Sequence, residues 1–280
     1  MKFALSTLGL PGMPIPEVAR LAARTGYHGV ELRAHPESHI HPHLDPAQRK
    51  AITAEFKASG IEILSIAGYA RVADPHDDAD LPQLLTLARD LGASYIRVFP
   101  GATGATGATG GSDNADNADT DADADADDTA VQRLAEAAQH AAATGIRILL
   151  ETHDSHRTGE ATARVLNRAV NRLGDGKSVG ALWDVMHTWL GGETPAESYG
   201  HLAPHLGYTQ VKDIASASDT TPLPLGKGVL PLSECLALLP PDGWVCWEYE
   251  KRWYPEAAPL PGLLQAGREY LTQLLAGTAK

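Results

Sequence analysis

The chain has 280 residues, 43% of them hydrophobic and 6% aromatic, with a formal net charge of −12. An α/β barrel commonly uses about 250 residues as one domain, so a single core accommodates this length. The negative charge speaks against a partner that must neutralise many phosphates, and no run of roughly 18 apolar residues marks a membrane-spanning helix. The N-terminal "MKFALSTLGLPGM" has no long apolar signal core and no small-residue cleavage site, and it reads as a strand. Cys235 and Cys246 lie eleven positions apart, with neither metal spacing nor a disulfide framework. They are expected to be packing residues in a reducing cytoplasm.

Short apolar runs then alternate with amphipathic stretches. In chain order the runs are "KFALST" (2–7), "GVELR" (29–33), "EILSIAG" (62–68), "YIRVF" (95–99), "RILLETH" (147–153), "VGALWD" (179–184), "YTQVKD" (208–213) and "WVCWEYE" (244–250). Helical periodicity fills the gaps, as in "PEVARLAARTG", "PAQRKAITAEFKASG" and "LPQLLTLARDLG", each ending in a glycine that suits a helix C-terminus. Strands separated by helices predict a parallel sheet, and the count of eight predicts a closed (β/α)8 TIM barrel in one domain spanning 1–280. An open nucleotide-binding sheet would carry GxGxxG after an early strand, and the chain has none.

One stretch breaks the pattern. Residues 101–128, "GATGATGATGGSDNADNADTDADADADD", form a low-complexity run of small and acidic residues after the fourth strand. Such a composition buries too little apolar area to fold alone, so a mobile insertion is expected, with the next helix starting at Thr129. Much of the net charge sits here, and it describes the folded part poorly.

Active sites of α/β barrels lie at the C-terminal ends of the strands. There the last four runs each offer one oxygen donor: Glu151 in "LLETH", Asp184 in "LWDVMHTW", Gln210 in "TQVKD" and Glu248 in "CWEYE". Asp184 taken alone is also a plain helix N-cap. The alternation of strands sets His153 on the face of Glu151, Lys212 on that of Gln210 and Glu250 on that of Glu248. Three carboxylates in one barrel mouth repel one another, and a divalent cation relieves that. An all-oxygen donor set favours Mn²⁺, with Mg²⁺ or Co²⁺ as alternatives, over Zn²⁺.

With "GYHGVELR", "LLETH", "WDVMH", "QVKD" and "WEYE" in place, the chain resembles the xylose isomerase-like TIM-barrel superfamily of sugar isomerases and epimerases, which shares its fold with type 2 AP endonucleases. The resemblance implies that Glu151, Asp184 and Glu248 bind a divalent metal. The fourth family ligand is usually a histidine in an HxKD-like motif, where this chain has Gln210. Hydroxypyruvate isomerases and some dehydroshikimate dehydratases also use glutamine there. An AP endonuclease would need an Asp-x-His after strand seven, and "KDIAS" lacks it.

The chemistry expected is proton transfer at a carbon beside a carbonyl, through a metal-stabilised enediolate, with Glu151 and Glu248 as the two bases. His153, His187, Lys212 and Arg33 are the expected substrate-binding residues, with Arg97 and His156 as further candidates. The function expected is a sugar or polyol isomerase or epimerase, whose partner is a small-molecule substrate and neither nucleic acid nor membrane. The alternatives are a metal-dependent dehydratase of a cyclic ketopolyol such as an inosose or dehydroshikimate, and a barrel that only binds sugar. A homo-oligomer is compatible with the sequence.

Overall fold

The computed structural model describes residues 1–101 and 120–278. Among the described residues ten strands and nine α-helices follow one another: β1 (Lys2–Ser6), α1 (Ile15–Arg24), β2 (Gly29–Arg33), α2 (Pro46–Ala58), β3 (Glu62–Arg71), α3 (Leu81–Leu91), β4 (Tyr95–Phe99), α4 (Thr120–Thr144), β5 (Arg147–Glu151), α5 (Gly159–Leu173), β6 (Val179–Asp184), α6 (Val185–Leu190), α7 (Pro195–Leu202), β7 (Leu206–Val211), β8 (Ile214–Ser216), β9 (Asp219–Pro222), α8 (Leu232–Leu238), β10 (Trp244–Trp247) and α9 (Leu264–Thr278). Eight strands close a parallel barrel in the order β1-β10-β7-β6-β5-β4-β3-β2, as the alternating runs predict. The first and last strands seal it, Lys2 pairing with Trp244 and Leu5 with Trp247. The sequence pattern did not show the small antiparallel hairpin of β8 and β9 outside the barrel.

Strands of such a barrel are covered on both faces, and β2 and β6 are buried at every position. The helices begin on local signals. Asp45 and Gln48 form a capping box for α2, and Thr194 and Glu197 form one for α7. The three glycines expected to stop helices, Gly26, Gly60 and Gly92, all have φ between 68° and 76°, a region that only glycine enters without strain.

The core has two parts. The larger lies between barrel and helices; the smaller fills the barrel with Ala4, Leu64, Leu149, Leu182, Tyr208 and Cys246. That apolar floor is what positions the site. Two residues further along the same strands, one layer of about 6–7 Å higher, stand Glu151, Asp184, Gln210 and Glu248. Cys246 belongs to the floor and Cys235 to the outer core, and both are buried free thiols.

One boundary differs from expectation. Helix α4 starts at Thr120 rather than Thr129, so the acidic residues that follow Thr120 are helical. Alanine has the highest helix propensity, and acidic residues early in a helix are favoured by its dipole. Averaged composition hides both effects. Residues 102–119 of the predicted insertion lie outside the described residues. Among the described residues, no helix is long and apolar enough to cross a membrane.

Candidate active site at the barrel mouth

The four donors expected from sequence converge. Ligand-type oxygens of Glu151, Asp184 and Glu248 lie within 4.8 Å of one another, and all three side chains are buried. Asp184 and Gln210 are cross-strand partners on β6 and β7. Glu248, just past β10, is held by its backbone N–H donating to the Val211 carbonyl at 3.0 Å.

Asp184 answers to both of its sequence readings. Its Oδ1 accepts from the Met186 backbone N–H at 2.9 Å, capping α6. Its Oδ2 lies 2.7 Å from Lys212 Nζ, yet accepts no well-directed hydrogen bond. Thr152 fixes the backbone here, its hydroxyl accepting from Asp184 N–H at 2.9 Å. One carboxylate therefore starts a helix with one oxygen and presents the other to the mouth.

Gln210 is held by its amide nitrogen, which donates to both oxygens of Glu31 (3.1 and 2.9 Å) and to Glu248 Oε1 (3.2 Å). Its Oε1 is buried and accepts nothing. Glu31, which the sequence reading missed, is fully buried on β2 and also accepts from the Tyr208 hydroxyl. The signal was available: Glu31 stands two residues before Arg33 in "GVELR", on the same strand face.

Two cations answer the acids. Arg97 donates to Glu151 Oε2 at 2.6 Å, and Lys212 contacts Glu248 Oε2 at 2.6 Å and Glu250 Oε1 at 2.7 Å. Four carboxylates (Glu151, Asp184, Glu248, Glu250) thus meet Arg97 and Lys212, while Glu31 meets only neutral donors, leaving an excess of negative charge. Burial pushes Glu151 up to about 7, against the pull of Arg97 and His153. Burial likewise raises Asp184 above its ordinary value, against Lys212. For Glu248 burial is outweighed by Lys212 and Arg97, which hold the carboxyl below its ordinary value. Two glutamates in one mouth are thereby driven apart in acidity.

The histidines form a wall. His153 and His187 have ring centroids 4.0 Å apart, and Phe99 packs on His153 at 4.5 Å. His153 Nδ1 lies 2.7 Å from Asp154 Oδ1. Burial alone would lower His153, but Asp154 and Glu151 outweigh it and raise the pKa. His187 goes the other way, lowered well below its ordinary value by burial and by His153. Asp154 has φ 45°, alone among the described non-glycine residues in being positive, a local strain beside the site. Arg33 stands at the C-terminal end of β2 and bonds Tyr69, whereas His156 is buried against Asp127 of α4, 2.9 Å away.

The donor set fits a hard divalent cation. Three carboxylates, an orphaned amide oxygen and surplus negative charge are what such an ion satisfies. Comparison with known proteins agrees with this frame. A family model described as xylose isomerase-like TIM barrel matches residues 19–274. The chain belongs to that family. Among solved structures, the probable 3-DHS dehydratase AsbF of Bacillus anthracis superposes with a TM-score of 0.74 at 21% identity, covering 97% of this chain and 99% of that one. The D-psicose 3-epimerase of Clostridium cellulolyticum H10 gives 0.78 at 15% identity, covering 98% and 99%. The IOLI protein, solved with a bound zinc atom, gives 0.71 at 15% identity, covering 99% and 98%. At these identities the likeness is one of fold. No curated protein sequence matches this chain.

Proposed function

We propose that this member of the xylose isomerase-like family is a divalent-metal-dependent isomerase or epimerase of a small sugar or polyol. The observation that carries the reading is the pairing of the orphaned Gln210 Oε1 with the carboxylates of Glu151, Asp184 and Glu248 in one buried mouth. These four side chains would hold the cation, with Mn²⁺ favoured by the all-oxygen donors. When bound, the cation stabilises the negative charge that develops on carbonyl and hydroxyl oxygens of the substrate.

The chain's own residues supply the rest. Glu248, held ionised by Lys212, accepts a proton from the carbon beside the carbonyl. Glu151, raised to about 7, is suited to returning a proton from another direction. Arg97 orients Glu151 through its 2.6 Å bond. Lys212 orients Glu248 and can meet a substrate oxygen. His153, His187 and Phe99 wall the mouth and keep water from the exposed side. We place the activity in the cytoplasm, a setting that suits the two free thiols.

One observation favours a second reading, a dehydratase of a cyclic ketopolyol. His153 is raised by Asp154 and Glu151, so it can protonate a departing hydroxide. The D-psicose 3-epimerase and the 3-DHS dehydratase share the fold, and fold alone does not choose. Incubation in D₂O with Mn²⁺ and a panel of ketoses, inososes and dehydroshikimate separates the two. Deuterium incorporated at carbon with retained hydroxyls supports the isomerase or epimerase, and elimination supports the dehydratase. Absence of both across the panel, with metal bound, would count against enzymatic function of this site.

A further inference from the structure

The second of the two arginine-bearing sides of the mouth is not explained by metal chemistry. Arg33, at the end of β2, is only 6% exposed. Its Nε donates to the Tyr69 hydroxyl at 2.6 Å, which sets the plane of the guanidinium. The guanidinium carbon lies 5.1 Å from the Tyr69 ring centre and 5.8 Å from that of Trp253. Among the described residues no carboxylate pairs with it, and its two terminal nitrogens have no acceptor. Every other buried cation of the mouth has a carboxylate: Arg97 has Glu151, and Lys212 has three.

The surroundings sharpen the point. Arg252, from the segment after β10, stands by the Trp253 ring at 5.6 Å, and its buried Nε is also without a partner. Glu37, an acid of this corner, is already taken by Arg252. Cation–ring contacts offset part of the cost of burying a guanidinium, but they leave its hydrogen-bonding fork unused. A planar fork with two free nitrogens matches a carboxylate or a phosphate, whose oxygens accept both bonds at once.

The position is right for substrate. Tyr69 carries Arg33 at 5.1 Å and Arg97 at 5.6 Å over the same ring, and Arg97 leads directly to Glu151. In the barrel order β2 lies diametrically opposite β6, whose end presents Asp184. A molecule gripped at Arg33 therefore spans the mouth, with its far atoms at the carboxylate cluster.

We propose that Arg33 is an anion subsite, so that the substrate is a small polyhydroxylated carbonyl compound bearing a carboxylate or phosphate at the end remote from the reacting carbon. This rests on the reading of the mouth as the active site and narrows its substrate class. It also accounts for how an anion enters so acidic a mouth: the charged end is held on the β2 side, across the barrel from Asp184, while neutral hydroxyl and carbonyl groups meet the acids.

The test compares matched ligands by calorimetry, with and without Mn²⁺: dehydroshikimate against an inosose for the carboxylate, and D-fructose 6-phosphate against D-fructose for the phosphate. The intact protein should bind at least one charged member about tenfold or more tighter than its neutral counterpart. The pair that shows the margin identifies the anion. Arg33→Gln should erase the margin while leaving neutral ligands within about twofold, and Arg33→Lys should keep part of it. Inorganic phosphate and acetate should also change the fluorescence of the wild-type protein, and Trp253→Phe should remove that change. Equal binding of charged and neutral members by the wild type would overturn the proposal even if no variant folds, and so would a margin that survives in Arg33→Gln. A charge margin dependent on Arg33 without solvent exchange or elimination would instead overturn the enzymatic reading and leave the subsite standing.

Discussion

Two buried acidic clusters in this protein use the same residue types to different ends. On the helical shell, Asp127 of α4 receives His156 at 2.9 Å and Arg164 at 2.6 and 3.1 Å, with Arg168 at 3.5 Å. His156 is in turn held by Ser155 at 2.8 Å. Both oxygens of Asp127 are satisfied, so the cluster is a clamp that fastens the first turns of α4 to α5 and the loop before it. At the barrel mouth, four carboxylates share Arg97 and Lys212, Glu31 has only neutral donors, and Gln210 Oε1 has no partner among the described residues. Burying a charge is tolerated when its partners are complete, and an incomplete set is an invitation to a ligand. The contrast between satisfied and unsatisfied burial, rather than burial itself, separates structure from function here.

The contrast is broken most severely at the two proposed bases. Glu151→Gln and Glu248→Gln keep shape and an oxygen but lose the proton acceptor, so each should lower turnover about 10²- to 10⁴-fold with folding retained. Steady-state kinetics on the substrate found in the D₂O panel, together with circular dichroism, checks this. A Glu248→Gln protein of near-normal turnover would remove the two-base mechanism. Next comes Asp184→Ala, which deletes a proposed ligand oxygen, a negative charge and the α6 cap at once. Bound metal after dialysis should drop to background, and full occupancy would reduce Asp184 to its capping role.

The clamp should respond in the other currency. Asp127→Asn should destabilise by about 2 kcal/mol, since it discharges a buried acceptor of charged hydrogen bonds. For a chain of this size that lowers Tm by roughly 3–4 °C. Turnover at 25 °C should stay within about twofold, so an Asp127→Asn protein that loses catalysis but not stability would contradict the division drawn between the clusters. A smaller effect is expected from Gln210→His, which exchanges an amide oxygen for an imidazole. Metal competition measured on this variant should shift preference toward Zn²⁺ or Co²⁺ by about tenfold.

The smallest expected effect is a slope with pH. Burial holds Glu151 protonated up to about 7 in the metal-free protein, so below that pH a proton competes with the cation. Affinity for Mn²⁺ should rise as pH increases toward 7, by at most about tenfold per unit for this one proton, and then level off. The Glu151→Gln protein should show a shallower rise, to which Asp184, also raised by burial, still contributes. Calorimetric titrations between pH 5.5 and about 8 read the slope. An equal slope in both proteins would assign the proton elsewhere.

The amino-acid sequence by itself determined the barrel and the donors at its mouth. Eight apolar runs separated by helical segments leave a parallel closed sheet as the economical solution, and a period of two puts Glu151, Asp184, Gln210 and Glu248 one step above Leu149, Leu182, Tyr208 and Cys246. These are local signals, readable within a strand. Tertiary structure decided which partners each polar group meets. Glu31 shares its strand face with Arg33, which is a local signal, but its partner Gln210 lies 179 positions away, and no local pattern announces that pairing. His156 is adjacent in sequence to the mouth residues, yet it turns to Asp127, while Lys212 finds acids from β6 and from the end of β10. The physical reason is that hydrogen bonds and ion pairs act over a few ångströms of space, and only closure of the barrel brings strand ends from distant parts of the chain that near.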